Sequence, residues 1–201
     1  MSILHRKGFV ISIVVLLVAI LGMVTYTLWS RANALPVFGT ASDFTLESAH
    51  GGEVSFRESD GKVRVVEFMF TSCPDVCAPT TMAMAKMQEA IKAKGLSDRV
   101  QFITITLDPE VDTPEVLRAY SQRVGAELDN WVFLRGEQEE LQKVLRPFGF
   151  YAQKQENGLV AHTAKFFLVD QDRKIRAMYD MASKVDEVDD VQVVKDIEKL
   201  L

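Results

Sequence analysis

Cys73 and Cys77 are the only cysteines in a chain of 201 residues, and they stand four apart in Cys73-Pro74-Asp75-Val76-Cys77. Two thiols at this spacing can close a disulfide, but so small a ring removes little chain entropy, which makes stabilisation a weak reason for the pair. As thiolates they are soft ligands that suit Cu(I), and an added imidazole extends the set to Cu(II) or zinc. The same pair can carry thiol-disulfide exchange.

Three histidines are available as a third donor. His5 precedes the apolar N-terminal run, and His50 lies in the glycine-rich turn His50-Gly51-Gly52, where it is expected to be solvated. His162 stands in Leu159-Val160-Ala161-His162-Thr163-Ala164, just before an apolar strand. A histidine at a strand entrance is more often a packed or capping residue than a ligand, so its position alone does not select it. Two carboxylates lie close in the sequence to the same elements. Asp108 either opens a turn into the next helix or stands beside a metal or facing a partner. Asp75, between the cysteines, can bias the charge of the site. Met69, Met82, Met84 and Met87 offer thioethers, but their spacing predicts core packing rather than ligation.

These residues need elements to hold them. Val63 to Phe70 is a nearly continuous apolar, β-branched run, as in a strand buried on both faces, and the cysteines follow it directly. A helix is expected from Pro79 to Lys94, ended by Gly95, because a proline deep inside a helix clashes one turn back. Both sulfurs would then sit in an irregular turn ahead of a helix N-terminus, whose dipole favours thiolates. Val100 to Leu107 reads as a second buried strand, followed by a helix from Pro114 to Arg123 capped by Asp112 or Thr113. Further on come a strand at Trp131 to Leu134, a helix at Gln138 to Leu145, and a hairpin of Lys165 to Val169 with Ile175 to Tyr179. An amphipathic helix from Val188 to Leu201 closes the chain. Such alternation predicts a three-layer α/β domain with a mixed sheet.

Phe9 to Leu28 carries no charge over a length sufficient to span a bilayer core. His5, Arg6 and Lys7 precede it and Arg31 follows, which predicts a single-pass cell-membrane anchor with the C-terminal domain on the extracytoplasmic side. The alternative is a signal peptide cleaved after Ala34, since Ala32-Asn33-Ala34 has small residues where signal peptidase needs them. Residues 1–34 are thus an anchor or leader with its linker, and residues 35–201 the folded domain. Residues 35–201 hold 20 basic and 28 acidic side chains. That balance argues against nucleic-acid binding, which needs a basic face.

Three separate segments resemble the SCO/SenC family of copper proteins: Phe70-Thr71-Ser72-Cys73-Pro74-Asp75-Val76-Cys77, Leu107-Asp108-Pro109-Glu110-Val111-Asp112-Thr113-Pro114-Glu115, and His162-Thr163-Ala164 with Phe167-Leu168-Val169-Asp170. The resemblance implies a thioredoxin-like fold and a copper site, Cu(I) or Cu(II), made by Cys73, Cys77 and His162. It also implies a metallochaperone, not an enzyme, that takes copper from an upstream donor and delivers it to the copper-site subunit of cytochrome c oxidase. Departures are small: the family often has histidine where Ser72 stands, and proline directly after the second cysteine, where this chain has Ala78 and then Pro79.

The alternative activity is a thiol-disulfide oxidoreductase that reduces cysteines of the oxidase or another exported partner. Against it, enzymes of the thioredoxin type space their cysteines by two residues and usually set a cis-proline opposite them, whereas no proline follows Pro147 here. A peroxiredoxin-type peroxidase would need threonine where Phe70 stands.

Overall fold

The computed structural model describes residues 2–155, 160–182 and 186–201, with residues 2–8 and 29–33 described by their backbone alone. Leu159 and the side chains of His5, Arg6, Lys7 and Arg31 therefore lie outside the described residues. The chain divides into two compact units, Met1–Leu35 and Pro36–Leu201. The first is the helix α1, Ser2–Asn33. Its stretch Phe9–Leu28 has a mean hydropathy of 2.7 and is long and apolar enough to cross a membrane.

The second unit is built on an eight-stranded mixed sheet. Its strands are β1 (Gly39–Thr40), β2 (Thr45–Ser48), β3 (Glu53–Ser55), β4 (Val63–Met69), β5 (Val100–Thr106), β6 (Trp131–Arg135), β9 (Lys165–Val169) and β10 (Lys174–Asp180), in the order β1-β10-β9-β4-β5-β6-β2-β3. Two more strands, β7 (Ala152–Lys154) and β8 (Val160–His162), form a separate antiparallel ladder. The helices are α2 (Cys77–Ala93), α3 (Pro114–Arg123), α4 (Gln138–Leu145) and α5 (Asp190–Leu200).

At the centre, β4 pairs in parallel with β5, and β5 with β6, while β9 joins the other side of β4 antiparallel. Every residue of β4 is buried, as its apolar run predicts. Glu67 and Thr104 face Thr81 of α2, which also meets Tyr120 of α3. On the opposite face Phe68 packs against Phe148, Phe150 and Phe167, with ring centroids 5.2, 4.8 and 6.0 Å away. Helices and loops thus cover both faces and complete three layers. The expected hairpin is present between β9 and β10; its turn places Arg173 at φ 64°, in the left-handed region.

Two expectations need correction. Helix α2 starts at Cys77, not Pro79. Pro79 is its third residue, where an amide N–H has no helical partner to lose, so proline is accommodated without breaking the first turn. Met82 is 54% exposed, while Met69, Met84 and Met87 are fully buried. The helix turns Met82 away from the sheet, so it does not belong to the core. At α3 the choice of cap falls on Thr113, whose side chain accepts from the Val116 N–H.

Candidate metal centre

The sequence places Cys73 in the loop leaving β4 and Cys77 at the first position of α2. Cys73 is half-buried and Cys77 buried, and both are free thiols. His162 arrives from the far end of the chain as the last residue of β8. One ligand atom from each of Cys73, Cys77 and His162 lies within 4.8 Å of the others.

The electrostatics separate the two sulfurs. The Cys77 thiol donates to Cys73, and together with hydrogen bonds from His162 and the Asp75 and Cys77 amides this outweighs burial and holds the Cys73 pKa at about 3. Cys77 keeps the shared proton: the Cys73 sulfur, burial and the nearby Cys73 charge all push its pKa up. For His162, burial alone would lower the pKa, but hydrogen bonds to Cys73 and the Thr163 carbonyl raise it. His162 Nδ1 lies 2.9 Å from the Thr163 carbonyl oxygen. A carbonyl only accepts, so Nδ1 carries a proton and Nε2 is the nitrogen available to a metal. Phe70 meets the imidazole edge to face at 5.6 Å and Phe150 stacks on it at 6.0 Å, which fixes the ring plane.

Asp108 lies 2% exposed at the end of β5. Its carbonyl accepts from the Val111 and Asp112 amides, so it does open the turn toward α3. Its carboxylate accepts from Lys154 Nζ at 2.9 Å. Asp75 is exposed, and its amide, not its carboxylate, reaches the Cys73 sulfur. His50 is exposed and stays apart from the cluster.

Sequence reasoning gave Asp112 only as a helix cap, and the structure gives it a larger task. Fully buried, it accepts from the Thr71 amide at 3.1 Å and from the hydroxyls of Thr71 and Thr106. One carboxylate thereby joins the end of β5 to the segment that carries Cys73. Asp112→Ala is expected to destabilise the domain by about 2 kcal/mol, because these donors lose their acceptor in a buried place. Asp112→Asn, which keeps one acceptor oxygen, should cost less; urea denaturation of both variants checks this.

The comparisons with known proteins agree with this picture. Over 139 residues the chain is 33% identical to the SCO1 protein homolog of Bacillus subtilis, covering 68% of this chain and 71% of that one. The crystal structure of a SCO1/SenC family lipoprotein from Bacillus anthracis superposes with a TM-score of 0.74 at 33% identity, covering 81% of this chain and 95% of that one. Arabidopsis thaliana ScoI with copper bound gives a TM-score of 0.67 at 28% identity, covering 80% and 99%. These likenesses make the mixed-sheet domain thioredoxin-like. The SCO1/SenC pattern itself matches residues 34–200, nearly the whole of the second unit and its cysteine, aspartate and histidine segments alike, and this chain belongs to that family.

Proposed function

We propose that this protein is a copper metallochaperone, binding one copper ion through Cys73, Cys77 and His162 and delivering it to the dinuclear copper site of cytochrome c oxidase during assembly. The observation that carries the reading is the convergence of two sulfurs from one short segment and one imidazole from a distant strand within 4.8 Å. The donor set fits the cargo: paired thiolates suit Cu(I) and the imidazole extends the match to Cu(II). In this reading residues 1–34 anchor the protein in the membrane and the domain of residues 35–201 works on the extracytoplasmic side.

Uptake begins at Cys73, whose sulfur is already a thiolate and is reachable from solvent. Cys77 then gives up its proton as it becomes the second ligand, and His162 Nε2 completes the site. Delivery reverses the order, with the receiving subunit's thiolates replacing the ligands one at a time. An upstream donor supplies the metal.

Titration of the reduced full-length chain in detergent with Cu(II) is expected to give one equivalent bound, with a thiolate-to-copper charge-transfer band. In His162→Ala that band should disappear, while Cu(I) supplied as such should still bind to the two sulfurs. Failure of the wild-type chain to take up copper would refute the proposal.

A second reading is favoured by one observation: the half-exposed Cys73 is a thiolate and the buried Cys77 retains its proton, the division of labour of an attacking and a resolving thiol. Rapid reduction of a mixed-disulfide substrate by a chain that ignores copper would select this reading.

A further inference from the structure

The ladder that carries His162 is not part of the main sheet. Among the described residues its strands β7 and β8 pair only with each other, at Ala152 with His162, Gln153 with Ala161 and Lys154 with Val160. Two short strands alone are marginally stable, so the ladder depends on what ties it down. On one side Phe150, just before β7, packs on Phe68, and Gln142 of α4 reaches the Ala152 carbonyl at 3.4 Å. A polar tie is added by Lys154, whose ammonium donates to Asp108 at 2.9 Å and to Glu110 at 2.8 Å.

Asp108 and Glu110 belong to the same short loop as Asp112, which holds Thr71 two residues before Cys73. One loop therefore grips both sources of ligands: the cysteine segment through Asp112 and the histidine ladder through Lys154. The two ion pairs are unequal. The Glu110 side chain is 82% exposed, so its pair is screened by water and contributes little. The Asp108 side chain is 2% exposed, and Lys154 is its side-chain hydrogen-bond partner among the described residues. Without Lys154 that buried carboxylate would have to find water, and the ladder would move to let water in.

We infer that Lys154 is a positioning residue for the cargo: it latches the β7–β8 ladder to the Asp108 loop and so holds His162 against the two cysteine sulfurs. With the latch open, copper rests on the sulfurs alone and leaves more readily. The inference rests on the copper binding proposed above, but the latch can be tested without metal.

The experiment compares Lys154→Met with Lys154→Arg, alone and combined with His162→Ala, in the full-length chain in detergent. Without copper, amide hydrogen exchange should quicken in residues 152–154 and 160–162 of Lys154→Met, leave residues 63–69 unchanged, and return toward wild type in Lys154→Arg. With copper, Lys154→Met should weaken Cu(II) binding about tenfold, in the range found when groups orienting a metal ligand are removed. On the His162→Ala background the same substitution should change copper binding hardly at all, because the effect travels through His162. Unchanged exchange in the ladder would overturn the latch whatever happens with copper. An equal loss of copper affinity with and without His162 would overturn the positioning role. Quickened ladder exchange in a chain that takes up no copper would uphold the latch and refute the proposed function instead.

Discussion

Cys73→Ala is expected to reduce copper uptake from one equivalent to none. The substitution removes the sulfur that is already ionised, and what remains beside His162 is a single thiol whose ionisation burial still opposes. Cys77→Ala should fail as well, for the other reason: Cys73 keeps its place in the loop but loses the second sulfur, and one thiolate with one imidazole holds Cu(I) poorly. Oxidation of the wild-type chain to a Cys73–Cys77 disulfide should have the same result, reversed by a reductant, because a disulfide offers no thiolate. Metal analysis after dialysis against a weak Cu(I) chelator measures all three. Stoichiometric copper in both alanine variants would show that the metal binds elsewhere.

Glu67→Gln is expected to stabilise the protein at alkaline pH by about 5 kcal/mol while leaving it nearly unchanged below pH 4.5. Glu67 sits fully buried in the middle of β4, and burial pushes its pKa up to about 8 against the opposing hydrogen bonds of Thr81 and Thr104, with the Cys73 charge adding to the rise. The folded pKa is above that of the unfolded chain, so folding favours the protonated acid. The stability this confers is complete below pH 4.5, falls as pH climbs toward 8, and is gone above it. Glutamine keeps the shape and the hydrogen bonds without a proton to lose. Denaturation curves of the two proteins from pH 5 to pH 9 should therefore diverge steadily, and parallel curves would mean that Glu67 is ionised in the folded state at no cost.

The parts of this molecule that could be read from its sequence are those whose signal is local. Val63 to Phe70 and Val100 to Leu107 announce buried strands by composition, and the cysteines are thereby placed at the carboxyl end of the first. The start of α2 is not legible in the sequence, because proline is forbidden only beyond the first turn and sequence alone does not say where that turn begins. The strands β1, β2, β3, β7 and β8 have two to four residues each, too few for alternation to register. His162 was singled out by resemblance, not by pattern. Asp112 and Lys154 could not be given their tasks at all, since their partners Thr71 and Asp108 stand 41 and 46 positions away along the chain. Such contacts are set by how the strands and loops come together, and hydrophobic periodicity carries no information about them.

The two charged residues of β4 bear on how the strand finds its alignment. A strand apolar on both faces loses little hydrophobic burial when it slides by one position, so its composition leaves its pairing nearly degenerate. Arg64 and Glu67 remove the degeneracy, because they point to opposite faces. Arg64 is stacked on Phe56 and bonded to Ser59, Asp60 and the Asp170 carbonyl, while Glu67 meets Thr81 and Thr104. A slip of one residue would drive the guanidinium into the layer of α2 and α3 and the carboxyl among the phenylalanines, each without a partner, at a cost on the order of several kcal/mol. Misaligned forms of the sheet are thus excluded by two polar side chains whose bonds exist in one alignment only. The alignment of β4 thereby sets where the cysteine loop leaves the carboxyl end of the strand.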